Sequence, residues 1–162
     1  MSLSYENVCA FLYKEARLLD DRDWDAWLEL YDENCIFWMP AWDDDGELTE
    51  DPQSQISLIY YARRAGLEDR VFRIRTERSS ATIPDTRTSH NITNVEIIEQ
   101  ANGICKLRFN WHTMSIRYNH TDHFCGTSFY TLDISGANPI IKDKKVVLKT
   151  DYIRHVIDVY HI

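Results

Sequence analysis

An α+β fold, with helices first and an antiparallel sheet after them, is what this sequence predicts. Three observations carry the prediction. Apolar residues recur at three- and four-residue spacing in segments before position 77. From about position 90 the pattern changes to β-branched and aromatic runs. Between two of those runs stands Asn102-Gly103, a pair that tolerates positive φ and marks a tight hairpin.

The chain has 162 residues, a length at which one domain spanning 1–162 is expected. Surface scaling gives roughly 8,400 Å² for the folded chain against roughly 28,000 Å² unfolded, so about 70% of the surface is buried on folding and a real core forms. Hydrophobic residues make up 44% and charged residues 27%, which excludes disorder as the main state.

From Ser4 to about Asp20, Val8, Phe11, Leu12, Ala16 and Leu19 lie along one helical stripe, with Glu15 as its polar exception. Ser4 is the N-cap, and Glu6 sits in the first turn, where the helix dipole favours it. Asp23 caps a second, short helix in which Trp24, Trp27, Leu28 and Tyr31 share a face. Those rings either seal the end of a core, the plainer reading, or fill a partner's groove.

Cys35 to Met39, closed by Pro40, reads as a strand. Ala41 to Asp51 gathers six acidic residues around Gly46, and their mutual repulsion predicts a solvated loop. Ile56 to Tyr61 stays open between helix and strand, because Asp51-Pro52 is a helix-start signal while the side chains favour a strand. Ala65 to Thr76 reads as the third helix, with Leu67, Val71 and Ile74 on one face and Asp69 four residues before Arg73.

Strands are expected at 90–99, 104–118, 123–134 and 144–150, with another turn at Gly136 to Pro139. Leu107, Phe109 and Trp111 alternate with Lys106, Arg108 and Asn110, giving one packed and one wetter face. The predicted sheet is a four-stranded antiparallel meander, and the N-terminal helices are its available lid. A curved sheet wrapped on helices makes a cone, so the leading topology is NTF2-like.

The formal net charge of −8 does not attract nucleic acid or anionic lipid. The start Met-Ser-Leu-Ser-Tyr-Glu has neither a basic nor an apolar leader, and no window approaches about 18 apolar residues, so neither a leader nor a membrane span is expected. Cys9, Cys35, Cys105 and Cys125 stand far apart with no Cys-x-x-Cys pair, which predicts free buried thiols in a reducing, cytoplasmic setting.

The sequence lacks the motifs of redox and nucleotide chemistry. It has no closely spaced Cys and His set for an iron–sulfur cluster, no phosphate loop and no His-Glu-x-x-His zinc helix. His120-Thr121-Asp122-His123 is the nearest imitation of a metal site. The segment is expected where strands turn, and there its residues read as turn or interface groups. His90, His112 and Asp85 are the residues best suited to a hidden pocket, since a histidine paired with a carboxylate inside a cone can act as a general base. The plainer reading gives each a structural hydrogen bond. Arg73, Arg75, Arg78 and Arg87 suit carboxylate pairing across an interface, against the alternative of a solvated surface. Five tryptophans and nine tyrosines add to the case for a protein partner.

Several stretches resemble the β (small) subunit of benzoate, toluate and anthranilate 1,2-dioxygenases, which are aromatic-ring-hydroxylating dioxygenases. They are Phe11 to Asp21, Phe37 to Trp42, Leu48 to Ser54 with Ile56 to Tyr61, Gly66 to Ile74, Thr76 to Thr82 with Pro84 to Ile92, and Phe109 to Thr113. The resemblance runs almost end to end. It departs at Ala62-Arg63-Arg64, where the family pattern is Pro-Asn-Arg, and this puts local loop shape in question.

The resemblance implies an NTF2-like, cystatin-like cone joined to a larger α subunit as three α and three β chains, the β chains forming a trimer. It places the Rieske [2Fe–2S] cluster and the mononuclear Fe(II) in the α subunit, with NADH electrons arriving through a separate reductase. It implies cis-dihydroxylation of benzoate, toluate or anthranilate by that α subunit. In this chain it implies no catalytic, cofactor-binding or metal residue. The competing readings are a stand-alone NTF2-like enzyme with a His/Asp general acid–base pocket, and an oligomeric scaffold unrelated to aromatic oxidation.

Overall fold

The structure is a computed structural model that describes residues 2–80, 85–154 and 156–162, with only the backbone described at 78–80. Helix α1 spans Tyr5–Asp21, and the Ser4 hydroxyl accepts from the Asn7 N–H at its start. Arg22 closes it in the left-handed region at φ 58°. Helix α2 is only Trp24–Leu28, capped by Asp23 as expected.

Trp24 and Trp27 are buried in the core, which decides for core sealing over a partner's groove. Tyr31 is not part of that helix. It opens strand β1, Tyr31–Pro40, because its backbone pairs with a distant strand, yet its ring still lies 5.1 Å from that of Trp27. Ser57–Tyr61 forms strand β2, so the strand reading of this segment holds. Helix α3 covers Arg64–Ser80, with Leu67 and Val71 fully buried and Arg73 bonded to Asp69 at 2.7 Å. The Ala62-Arg63-Arg64 departure falls at its start, where the Arg64 guanidinium donates to the Tyr31 carbonyl and to Glu68, tying α3 to β1.

Strands β3 (Arg87–Ala101), β4 (Ile104–Arg117), β5 (His120–Asp133) and β6 (Ile140–Leu148) follow. Asn102 and Gly103 both take positive φ, forming the expected hairpin turn. A second such turn lies at Tyr118-Asn119, also with both φ positive, and it joins β4 to β5. The His120–His123 segment therefore sits inside the first residues of β5 rather than in the turn. The expected four-stranded meander is part of a larger object, a six-stranded sheet ordered β2-β1-β6-β5-β4-β3. Strands β3 to β6 pair antiparallel in sequence, and β1 joins β6 in parallel with Phe37 opposite Lys144.

Alternation sorts the sheet into two faces. Cys105, Leu107, Phe109, Trp111 and Thr113 point inward from β4 and are buried beneath α1, whereas Lys106, Arg108, Asn110 and His112 point outward. The curved sheet and its helical lid make the cone. Gly126 permits the tightest contact in it, because a Cβ there would meet the Val147 carbonyl oxygen at 1.8 Å. The acidic loop after β1 is exposed, as its charge predicts, and the Trp42 indole anchors it by donating to the Leu148 carbonyl at 2.6 Å.

Candidate functional site

The densest chemistry in the molecule lies inside the cone. Glu15 shares the inner stripe of α1 with Leu12 and Leu19, so its side chain is forced inward. It accepts hydrogen bonds from the hydroxyls of Tyr31 on β1, at 2.5 Å, and Tyr130 on β5, at 2.6 Å. The Lys144 ammonium on β6 donates to it at 3.0 Å. Burial pushes the Glu15 carboxyl upward, but the Lys144 charge and these three donors outweigh it and hold the group below its ordinary range. Burial lowers Lys144 against the pull of Glu15. With three donors converging on its carboxylate, Glu15 is held ionised beside Lys144. Both phenols are pushed well upward by burial and by the Glu15 charge, so they act as donors. In the sequence Glu15 stands only as the polar exception to its stripe. The missed signal was a lysine on β6 at an inward position, in step with Val146 and Leu148.

The residues assigned to a hidden pocket do not meet. His90 lies inward on β3, but its carboxylate is Asp20 at the end of α1, with Nδ1 at 2.5 Å from the Asp20 oxygen. Burial works against ionisation of Asp20. The His90 ring, the His90 N–H and the Thr88 hydroxyl together outweigh it and lower the carboxyl. Asp85 pairs instead with Arg22 at 3.4 Å. His112 points to the outer face, where its Nε2 lies 2.9 Å from Nδ1 of His123 and the two rings stack. Strand alternation explains the failure, since His90 and His112 occupy opposite faces of the β3–β4 pair.

The His120–His123 segment divides in the same way. His120 lies 3.2 Å from the Asp122 carboxylate, which also takes the Arg154 guanidinium at 3.3 Å, while His123 belongs to the outer pair with His112. Among the arginines expected at an interface, Arg73 and Arg75 are engaged within the chain by Asp69 and Asp25. Arg87 is exposed at the start of β3, and the Arg78 side chain lies outside the described residues. The strongest guanidinium contact was not foreseen: Arg70 on α3 forks onto the buried Asp158, whose carboxylate also caps the C-terminal 3₁₀ turn Val159–His161.

All four thiols are free, and Cys125, against expectation, is exposed on the outer face. Burial, helped by the Asp32 charge, pushes the Cys35 thiol up to about 11 and keeps it protonated. Among the described residues no three His, Cys, Asp or Glu side chains converge as a metal site requires. The donors among the described residues do not fit an iron–sulfur cluster or a mononuclear iron.

Three concavities bear on ligand binding, and one of about 120 Å³ is lined by Leu19, Trp24, Ile74, Asp85 and Thr88. The cavity inside the cone holds only about 20 Å³, between Glu15, His90, Trp111, Ser128, Tyr130 and Lys144. A shallow depression of about 630 Å³ opens at the Tyr118-Asn119 end of the sheet, and its charged groups include the Arg70–Asp158 and Arg154–Asp122 pairs.

Residues 14–155 match the protein family described as "Ring hydroxylating beta subunit". The chain is 68% identical to the toluate 1,2-dioxygenase subunit beta of Pseudomonas putida, over all of both chains. It is similar to the crystal structure of the beta subunit of the benzoate 1,2-dioxygenase from Burkholderia mallei, with a TM-score of 0.88 and 54% identity over 100% of this chain and 99% of that one. An NTF2-like protein with a cystatin-like fold from Novosphingobium aromaticivorans shares the fold at a TM-score of 0.62 and 11% identity, over 91% of this chain and 82% of that one.

Proposed function

This chain belongs to the ring hydroxylating beta subunit family, and on that premise we propose that it is the non-catalytic small subunit of an aromatic-acid 1,2-dioxygenase. Benzoate or a close relative, toluate or anthranilate, is the substrate, bound and cis-dihydroxylated in the α subunit. That subunit carries the Rieske cluster and the mononuclear Fe(II), and a reductase passes it electrons from NADH. Three α and three β chains form the assembly in the cytoplasm, with the β chains as a trimer. Residues 1–162 act as one domain, a reading supported by a sheet that runs unbroken from β2 through β1 and β6 to β3. No helix among the described residues is long and apolar enough to cross a membrane.

The observation that carries the division of labour is the filled cone. Binding pockets for small molecules occupy roughly 300–1,000 Å³. Here the interior is taken up by the Glu15–Lys144 cluster and its aromatic neighbours, leaving about 20 Å³. An aromatic acid does not fit that space, and His90, His112 and Asp85 do not converge, so the stand-alone enzyme reading loses its proposed constellation. We assign no catalytic or metal-binding residue to this chain.

Co-expression with the α subunit tests this reading. Native mass measurement should return equal numbers of the two chains, and a panel of benzoate, toluate and anthranilate should be oxidised only by the complex. Turnover of an aromatic acid by this chain alone would overturn it.

A further inference from the structure

We propose that the cone encloses one resident water molecule, held between the indole N–H of Trp111 and Nε2 of His90. The two residues lie on neighbouring strands of the inner face, where Ile92 pairs with Trp111 and His90 with Thr113. Trp111 Nε1, His90 Nε2 and Thr113 Oγ1 are all buried, and none has a hydrogen-bond partner among the described residues. A buried polar atom without a partner is costly, so a cluster of three on one strand pair calls for a hydrogen-bonding occupant. His90 and Trp111 both line the 20 Å³ cavity.

Size and hydrogen-bond sense identify the occupant. A water needs roughly 10–15 Å³ and at least two polar partners, and nothing much larger enters this space. The indole nitrogen can only donate. The Asp20 carboxylate accepts from Nδ1 of His90, which leaves Nε2 as the ring nitrogen still without a partner. The occupant must therefore accept from the indole and form a second hydrogen bond with the imidazole. A bare cation has nothing to offer the indole N–H, and a polyatomic anion is too large for about 20 Å³. Water meets both demands and extends a hydrogen-bonded chain from Asp20 on α1 through His90 to Trp111 on β4, joining the helical lid to the far half of the sheet. With the His90 side chain 4% and Trp111 5% exposed, both groups that hold this water are screened from bulk solvent.

A crystal structure of the full chain at about 1.5 Å tests the proposal directly. One fully occupied water peak is expected within about 2.7–3.2 Å of both nitrogens. In solution the Trp111 indole proton should show water cross-peaks of opposite sign in NOESY and ROESY spectra, the signature of a long-lived water. The Trp111→Phe variant should lose the peak. An empty cavity in the wild-type density, a larger molecule in it, or an unchanged water in Trp111→Phe would each overturn the assignment. Should that variant fail to fold, the wild-type density decides alone.

Discussion

Lys144 on β6 and Glu15 on α1 form an ion pair at 3.0 Å whose side chains are only 2% and 5% exposed. The pair fastens the first helix to the sheet at the point where β1 and β6 run parallel, because Tyr31 and Tyr130 join the same carboxylate from the strands on either side. Removing one member of such a pair leaves an uncompensated buried charge, at a cost of about 3–5 kcal/mol. Lys144→Met and Glu15→Gln should each destabilise the chain by that order, and the double variant should cost clearly less than their sum. Urea unfolding of all four proteins measures the coupling. Simple additivity would show that the two groups act independently.

Much of the local structure was legible in the sequence, and the reason is that its causes are local. Ser4, Asp23 and Asn102-Gly103 lie next to the termini and the turn they specify. The parallel β1–β6 pairing was not legible, since Phe37 and Lys144 carry no short-range mark of each other. The same distance hid the partner of His90: Asp20 lies 70 positions away, whereas the nearer Asp85 drew the assignment. The second hairpin is expected from the strand pattern, but its turn is placed at His120–His123 instead of Tyr118-Asn119, because Tyr118 is a residue rarely found at positive φ.

Acid should expose the Asp20–His90 contact. The folded state lowers the Asp20 carboxyl, so its contribution is fully present above the unfolded value near 3.9 and is lost as pH falls through the folded value. Asp20→Asn should therefore cost about 1.5–3 kcal/mol near pH 7 and markedly less below pH 3, as read from urea midpoints at the two pH values. An equal deficit at both would show that the carboxylate charge plays no part.

Gly126 is a position where any side chain collides with backbone. In Gly126→Ala the new Cβ is directed at the Val147 carbonyl oxygen, so β5 and β6 must separate locally. A loss at or above the upper end of the about 1–3 kcal/mol typical of overpacking is expected. An unchanged denaturation midpoint would contradict the close approach of these strands.

Arg70 should control the order of the C-terminal turn. Arg70→Ala strands the buried Asp158 carboxylate, and amide exchange at residues 157–162 should rise by about tenfold, equivalent to about 1.4 kcal/mol, with α1 unaffected. Hydrogen-exchange mass spectrometry reads this segment directly. Unaltered protection there would assign the turn's stability to its apolar contacts.

The histidines of β5 are paired within the chain, so they are expected to contribute nothing to iron binding. His120→Ala and His123→Ala, each co-expressed with the α subunit, should leave the iron content of the assembled complex unchanged. A fall in iron in a complex of normal subunit ratio would place a ligand in this chain.

The most direct test of the whole account is a metal analysis of the isolated, folded chain beside the complex formed with its α subunit. The account predicts a colourless chain with negligible iron and a red-brown complex that carries all of it. Stoichiometric, tightly held iron in the isolated chain would contradict the assignment of a non-catalytic subunit.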